Sequence, residues 1–323
     1  MHWPTIADHA ARVAIVISSV GALVMAVALT FLIIRRDRKE RRLATAQATM
    51  RALTREIMAS LPGGETGEIF AHASDSDRLA AIAHLGQLVR GEDRARLTEF
   101  VEENHLLDRI AADARQGSDA RRVDAMRQLG VIGGPRAVET LLAILNEDPH
   151  LSVRLEAAAM LAPLGALPSP RRLIAALGLE HNLVTRLHRA FFRALAPVHA
   201  AELLSLLRED RPPLLRALIV DALGWTEDRA ALAALERAAD DIDPEVRCAA
   251  LRAAHQINDP ATIPWVMRLL RDASDAVRSN AVRAAAHVAP RQSLPQLETM
   301  RGDPSAWVRI RVAEALGPLA SAA

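Results

Sequence analysis

The stretch DPEVRCAALRAAH, residues 243–255, holds the chain's only cysteine, Cys248, between the acid Asp243 and the imidazole His255. Taken alone, these groups are either a nucleophile with its helpers or a fragment of a repeat. Steps of 31 residues from Val246 land on Val153, Val184, Leu215, Val277 and Val308. Eleven residues before each of the six stand Leu142, Leu173, Leu204, Leu235, Val266 and Leu297. Four residues after come Ala157, His188, Ile219, Ala250, Ala281 and Val312; eight after come Leu161, Phe192, Leu223, Ala254, Ala285 and Leu316. Offsets of 4 and 8 fall on one helical face. The informative residues of the opening stretch are therefore Asp243, which belongs to a turn, and Val246, Arg247, Ala250 and Ala254.

Each unit predicts two short helices, the first of the type AVETLLAIL (137–145) or ELLSLLR (202–208) and the second of the type VRCAALRAA (246–254). Turns rich in Pro, Asp and Gly separate them, and no strand-like alternation interrupts them. Such a pair cannot bury both apolar faces alone, whereas stacked pairs share one continuous core. The expected fold is all-α: a single amino-terminal transmembrane helix, then an α-solenoid of about seven to eight helical hairpins. Residues 114–145 join the array with a 32-residue step through Arg121, Ala125, Leu129 and Gly130, and 78–89 reads as the second helix of an initial unit.

The polar columns carry a family resemblance. Five residues before the origin stand Asp148, Leu179, Asp210, Asp241, Asp272 and Asp303; one residue after stand Arg154, Thr185, Arg216, Arg247, Arg278 and Arg309. An Asp, a turn often containing Pro, then Val-Arg with alanines at helical spacing resembles HEAT repeats, in the short form also found in phycobilin lyases. The resemblance implies a hydrogen-bonded ladder of Asp148/Arg154, Asp210/Arg216, Asp241/Arg247, Asp272/Arg278 and Asp303/Arg309, with Asp241 facing Arg247. It implies little about activity, because such solenoids host unrelated functions.

Residues 13–34, VAIVISSVGALVMAVALTFLII, carry no charge over 22 positions. A helix of that length rises roughly 33 Å, enough to span a bilayer. The flank RRDRKERR, residues 35–42, contributes Arg35, Arg36, Arg38, Lys39, Arg41 and Arg42 as a membrane-surface cluster. By the positive-inside rule residues 1–12 lie outside and the solenoid in the cytoplasm of a bacterial inner membrane. Ala14, Ser18, Ala22 and Ala26 line one face of the span and would admit a second helix closely, a route to a homo-oligomer. Residues 35–64 form a basic juxtamembrane helix and linker, and 65–323 the solenoid, regular from about 137. Within the linker Leu43, Ala46, Met50, Leu53 and Ile57 make an apolar stripe that either packs on the following domain or self-associates.

Composition narrows the function. Lys and Arg number 40 against 39 Asp and Glu. From residue 45 onward 33 basic residues (40−7) face 36 acidic ones (39−3), so no global field favours nucleic acid. The only lysine is Lys39, which excludes a GxxxxGK phosphate loop, and HExxH and GxSxG are absent. Cys248 and His255, seven residues apart, share a helical face but sit about 10 Å apart along the axis, so a small packing residue accounts for the thiol better than a nucleophile. No cofactor, metal or catalytic residue is expected. The unit 169–197 departs from the pattern: it brings His181, His188 and nearby His199, whose spacings match no standard ligand set, and Arg186, Arg189 and Arg193 as a positive stripe.

The expected function is a membrane-anchored cytoplasmic scaffold that binds protein partners, an accessory subunit of an envelope polysaccharide-synthesis or secretion machine. Arg186, Arg189, Arg193, Trp225 and Trp307 are the candidate contact residues. Two alternatives stand beside it: an enzyme similar to phycobilin lyases acting on a protein-linked group, and a structural, self-associating anchor.

Overall fold

The structure is a computed structural model that describes residues 25, 29, 35–36, 47–61, 63–64, 66–181 and 183–321. Most of 13–34, including Ala14, Ser18, Ala22 and Ala26, lies outside the described residues, as do Arg38, Lys39, Arg41 and Arg42. Met25, Leu29, Arg35 and Arg36 are helical and exposed. Among the described residues no helix is long and apolar enough to cross a membrane, and no strand occurs.

The chain divides into two units, Met1–Leu106 and Leu107–Ala323. In the first, helix α1 (47–60) is followed by α2 (Glu68–His72), α3 (Asp75–Leu88) and α4 (Glu92–Glu103). Leu53 and Ile57 of the apolar stripe are fully buried. Glu56 Oε1 accepts the Phe70 N–H at 2.9 Å, which ties α1 to the start of α2. Phe70 meets Phe100 edge-on at 5.2 Å, and Arg78 covers the Phe70 ring at 4.9 Å. Leu53 and Ile57 therefore pack inward, whereas Leu43 and Ala46 of the stripe lie outside the described residues; the helix ends before the turn residues Gly63 and Gly64.

The second unit runs from the boundary helix α5 (Leu106–Arg115) through α6 (Asp119–Ile132), α7 (Pro135–Glu147), α8 (Leu151–Leu161), α9 (Pro170–Leu177), α10 (Arg186–Leu206) and α11 (Pro213–Leu223). It continues with α12 (Ala230–Ala238), α13 (Pro244–Ile257), α14 (Ile263–Leu269), α15 (Asp275–Val288), α16 (Pro290–Thr299) and α17 (Ala306–Ser321). First helices (α7, α9, α12, α14, α16) each pack on the second helix of their own repeat, and the second helices α11, α13, α15 and α17 stack side by side. Proline opens α7, α9, α11, α13 and α16, where its missing N–H costs nothing. Asp243, half of the supposed acid–thiol pair, is the N-cap of α13 and accepts the Glu245 N–H at 2.8 Å.

One boundary differs from expectation. The second helix of the divergent unit and the first helix of the next merge into the 21-residue α10, broken at His199 (φ −114°, ψ 26°) two residues after Pro197. Proline has no N–H to continue the helical ladder, so the chain kinks there instead of forming a loop.

Small residues bring the second helices close. Ala249, Ala250, Ala253 and Ala254 are buried, and a Cβ built on Gly224 would sit 2.7 Å from Ala253 Cα. Glycine at 224 is thus required by the approach of α11 to α13.

The ladder exists, but its pairing corrects the expected one. Arg247 places two nitrogens on the Asp272 carboxylate at 2.8 and 2.9 Å, one repeat onward, while its third reaches the main-chain carbonyl of Asp241 at 2.8 Å. Arg216 grips Asp241, and Arg278 grips Asp303, in the same way. Each Asp also accepts the N–H two residues on and so closes its own turn: Asp241 from Asp243, Asp272 from Ser274, Asp303 from Ser305, Asp148 from His150. The planar guanidinium has two usable edges, so one arginine spans its own turn and the next repeat's.

The array reaches one rung further back than the columns suggested, because Arg122 bonds Asp148. It then breaks at the divergent unit. With Leu179 opposite, Arg154 keeps only the Asp148 carbonyl at 2.8 Å, and its Nε is buried without a partner. Thr185 offers no guanidinium to Asp210, which is exposed. Arg211 instead bonds Glu180 and Glu209, and Arg171 also reaches Glu209. None of the five expected same-repeat pairs is therefore a carboxylate–guanidinium rung: of the Asp in their own repeat, Arg154, Arg247, Arg278 and Arg309 reach only the main-chain carbonyl, and Arg216 reaches that of Arg211. At the other end Arg309 retains only carbonyl bonds, to Asp303 at 2.7 Å and Pro304 at 3.0 Å.

Candidate protein-binding face

In each second helix, offsets 0, 4 and 8 from the origin face the core, and offset 6 lies on the opposite side. Steps of 31 from Ala159 give Ala190, Asp221, Arg252, Arg283 and Glu314. Four successive repeats thus present an ionisable residue at the same helical position. The sequence reading overlooked this column, although the same step reveals it.

Asp221 is the node. It is 2% exposed, accepts Arg193 Nε at 2.8 Å and Nη2 at 3.1 Å, and accepts Arg252 Nε at 3.0 Å. A carboxylate at that depth is tolerable only when its lone pairs are filled, and two guanidiniums fill them. Arg252 and Arg189 both also reach Glu245 Oε1, at 3.0 and 3.3 Å. Arg193 lies over the Trp225 ring at 5.4 Å. Of the predicted stripe, Arg189 and Arg193 are therefore fixed in a network across α10, α11 and α13, while Arg186 is exposed with no hydrogen bond among the described residues.

Trp225 is 42% exposed and borders an open concavity of about 360 Å³ shared with Thr226, Asp228, Leu232 and Gln256. Trp307 is 75% exposed at the start of α17. The two tryptophans stand three repeats apart, which at 8–10 Å per helix is on the order of 25–30 Å. They do not form one site. Trp265 is 3% exposed and belongs to the core.

Farther along the face Arg311 pairs with Glu314 on its own helix at 2.7 Å. That leaves Arg283 with no carboxylate within salt-bridge reach among the described residues. Desolvation, then the charges of Arg311 and Arg252, hold its guanidinium below its ordinary range, offset in part by Asp221. The His255 and His287 rings meet at 4.3 Å beside it. Desolvation, then His287 and Arg283, push His255 below its usual value.

Cys248 is 3% exposed, receives only a 3.6 Å contact from Asn280 Nδ2, and is pushed up to about 11, mainly by burial. A thiol in that setting is protonated and packed. His188 is buried, with Nδ1 accepting the Thr185 N–H at 3.0 Å and burial lowering its pKa. His199 leans on Glu202 at 3.4 Å, His181 is exposed, and no metal-ligating group of three or more forms among the described residues.

Comparisons agree with the repeat assignment. The family model for HEAT repeats matches residues 200–281 and 263–323, and this part of the chain carries HEAT-like repeats. Three solved structures align at low similarity. Human deoxyhypusine hydroxylase in complex with glycerol is 18% identical over 87% of this chain and 99% of its own, with a TM-score of 0.34. The complex of CpcE and CpcF of phycocyanin lyase from Nostoc sp. PCC7120 is 21% identical over 82% and 94%, with a TM-score of 0.32. A designed armadillo repeat protein in complex with the peptide (KR)4 is 17% identical over 74% and 99%, with a TM-score of 0.34. No curated protein sequence matches the chain.

Proposed function

We propose that this protein is a membrane-anchored scaffold that recruits a partner protein through the second-helix face of its repeats. Solenoid repeats present extended surfaces suited to elongated protein partners. The observation that carries the reading is the row Asp221, Arg252, Arg283 and Glu314, repeated at one helical position and bordered by the exposed Trp225. Arg252, Arg283 and Glu314 recur at a 31-residue step on the outer side of their helices, with Asp221 buried beneath Arg193 and Arg252 at the same position. In this reading residues 13–34 anchor the chain, the basic flank 35–42 faces the cytoplasmic leaflet, and the partner belongs to an envelope machine for polysaccharide synthesis or secretion.

The test is affinity purification of the full chain from detergent-extracted membranes, alongside an Arg193→Ala/Trp225→Ala double variant. A specific partner retained by the natural chain and lost in the variant is the expected result. Equal recovery from both, or no specific partner under several extraction conditions, counts against the face. Separately, a reporter active only in the periplasm and fused after Ala323 should be silent; strong activity would reverse the orientation.

A further inference from the structure

The offset-6 column is not evenly balanced. Read along the array it runs acid, base, base, acid: Asp221, Arg252, Arg283, Glu314. Asp221 and Arg252 satisfy each other across α11 and α13 at 3.0 Å. The mirror pair, Arg283 with Glu314 across α15 and α17, does not form, because Glu314 is engaged by Arg311 on its own helix at 2.7 Å. Arg283 is thus an exposed guanidinium on the middle helix of three, near the guanidiniums of Arg252 and Arg311, with no carboxylate in salt-bridge reach among the described residues. A guanidinium held beside two others, and not ion-paired as they are, attracts an anion supplied from outside.

We infer that the α13–α15–α17 face, centred on Arg283 and flanked by Arg252 and Arg311, binds a short acidic segment of the partner protein in extended conformation. Geometry favours a peptide. Neighbouring helices stand about 8–10 Å apart, and a polyproline-II segment brings side chains i and i+3 to one face at roughly 9 Å. One Glu or Asp would seat on Arg283, and its neighbours three positions away would lie near Arg252 and Arg311, which are already partly neutralised by their own carboxylates. Nucleic acid fits less well. Its affinity comes from neutralising a run of phosphates, whereas here Arg252 is already shared between Asp221 and Glu245, and Arg311 is paired with Glu314. Arg283 alone has its whole charge to give. The inference rests on the scaffold reading above and specifies the chemistry of what that face takes.

Fluorescence anisotropy of a labelled hexaglutamate peptide, titrated with the full chain in detergent micelles at low salt, tests it. Hexalysine and a single-stranded DNA oligonucleotide serve as comparators. Hexaglutamate should bind in a salt-sensitive manner and weaken about tenfold in Arg283→Gln, the loss expected of one charge-assisted contact. Arg283→Lys should restore most of the affinity, and Arg237→Gln, on the exposed side of the first helix α12, should leave it unchanged. Arg283 is exposed, so these variants keep the fold, which circular dichroism verifies. No hexaglutamate binding, equal binding by Arg283→Gln, or tighter binding of the oligonucleotide through the same residue would overturn the inference. If the partner of the preceding section is still recovered while hexaglutamate fails, the scaffold reading stands and only the acidic segment falls.

Discussion

The regular repeats from Pro213 to Arg309 and the region 169–211, which holds the divergent unit 169–197, use the same helical hairpin but join it to its neighbours differently. In the regular region Arg216, Arg247 and Arg278 each bond a carbonyl of their own turn and the next turn's carboxylate, so three consecutive interfaces carry the same two-nitrogen carboxylate rung. In the divergent unit Leu179 and Thr185 occupy the rung positions, and a surface cluster of Arg171, Glu209, Arg211 and Glu180 stands in their place. Core packing persists through both, with Phe192 and Leu173 fully buried in the divergent unit as Val246 and Ala250 are in the regular one. The apolar columns therefore build the array, and the ladder fixes the angle of each repeat against the next. Where the ladder stops, α10 kinks, and its arginines turn to partners up to two repeats away, as Arg189 does with Glu245.

That contrast can be broken experimentally. The largest effect belongs to the shared core: Phe192→Ala should cost about 3–5 kcal/mol despite lying in the unit without a rung, measured by urea unfolding. Arg247→Ala should cost about 3 kcal/mol, because it strands the largely buried Asp272 carboxylate, whereas Arg154→Ala should cost only about 1 kcal/mol, the value of one hydrogen bond to a carbonyl. Equal losses at 154 and 247 would erase the distinction between the two regions.

Acid should act on the regular region first. The Arg278 hydrogen bonds lead in holding Asp303 below its ordinary value of 3.8. Burial pulls Asp241 and Asp272 upward, but the Arg216 and Arg247 contacts outweigh it, and both also end below their usual range. Carboxylates with lowered folded pKa values contribute stability that is complete above about pH 4 and is lost as pH falls through the folded values. Asp303→Asn should therefore flatten the low-pH limb of a stability–pH profile. His255, also lowered, gives a smaller effect of the same sign at higher pH: its contribution is complete above 6.5 and declines below it. His255→Gln should remove that limb. Last, native Cys248 should react with iodoacetamide at least about tenfold more slowly than in urea, since the thiolate is the reactive form. Equal rates would revive a nucleophile.

Much of this was legible before any coordinates. The 31-residue step located the core columns because burial at offsets 0, 4 and 8 constrains residue type in every unit. Asp and Arg columns were visible for the same reason, yet their pairing was not: sequence gives the column, and only the stacking of turns shows that Arg247 reaches forward to Asp272. The merged α10 escaped because Pro197 reads equally as a loop or a kink. Of the predicted contact residues, Arg189 and Arg193 proved to be network members, and Trp225 joined them through a cation–ring contact. Trp307 stands elsewhere. The offset-6 column was missed because its four ionisable members, Asp221, Arg252, Arg283 and Glu314, differ in sign, and a search for sameness passes over a position that keeps charge without keeping one residue type.

A photocrosslinking amino acid placed in living cells tests the use of this face most directly. Substituted at Trp225 on the second-helix side, it should yield a discrete protein adduct. Substituted at Arg237, on the first helix α12, it should yield none. Adducts from position 237 with none from 225 would contradict the account and move the binding surface to the first helices.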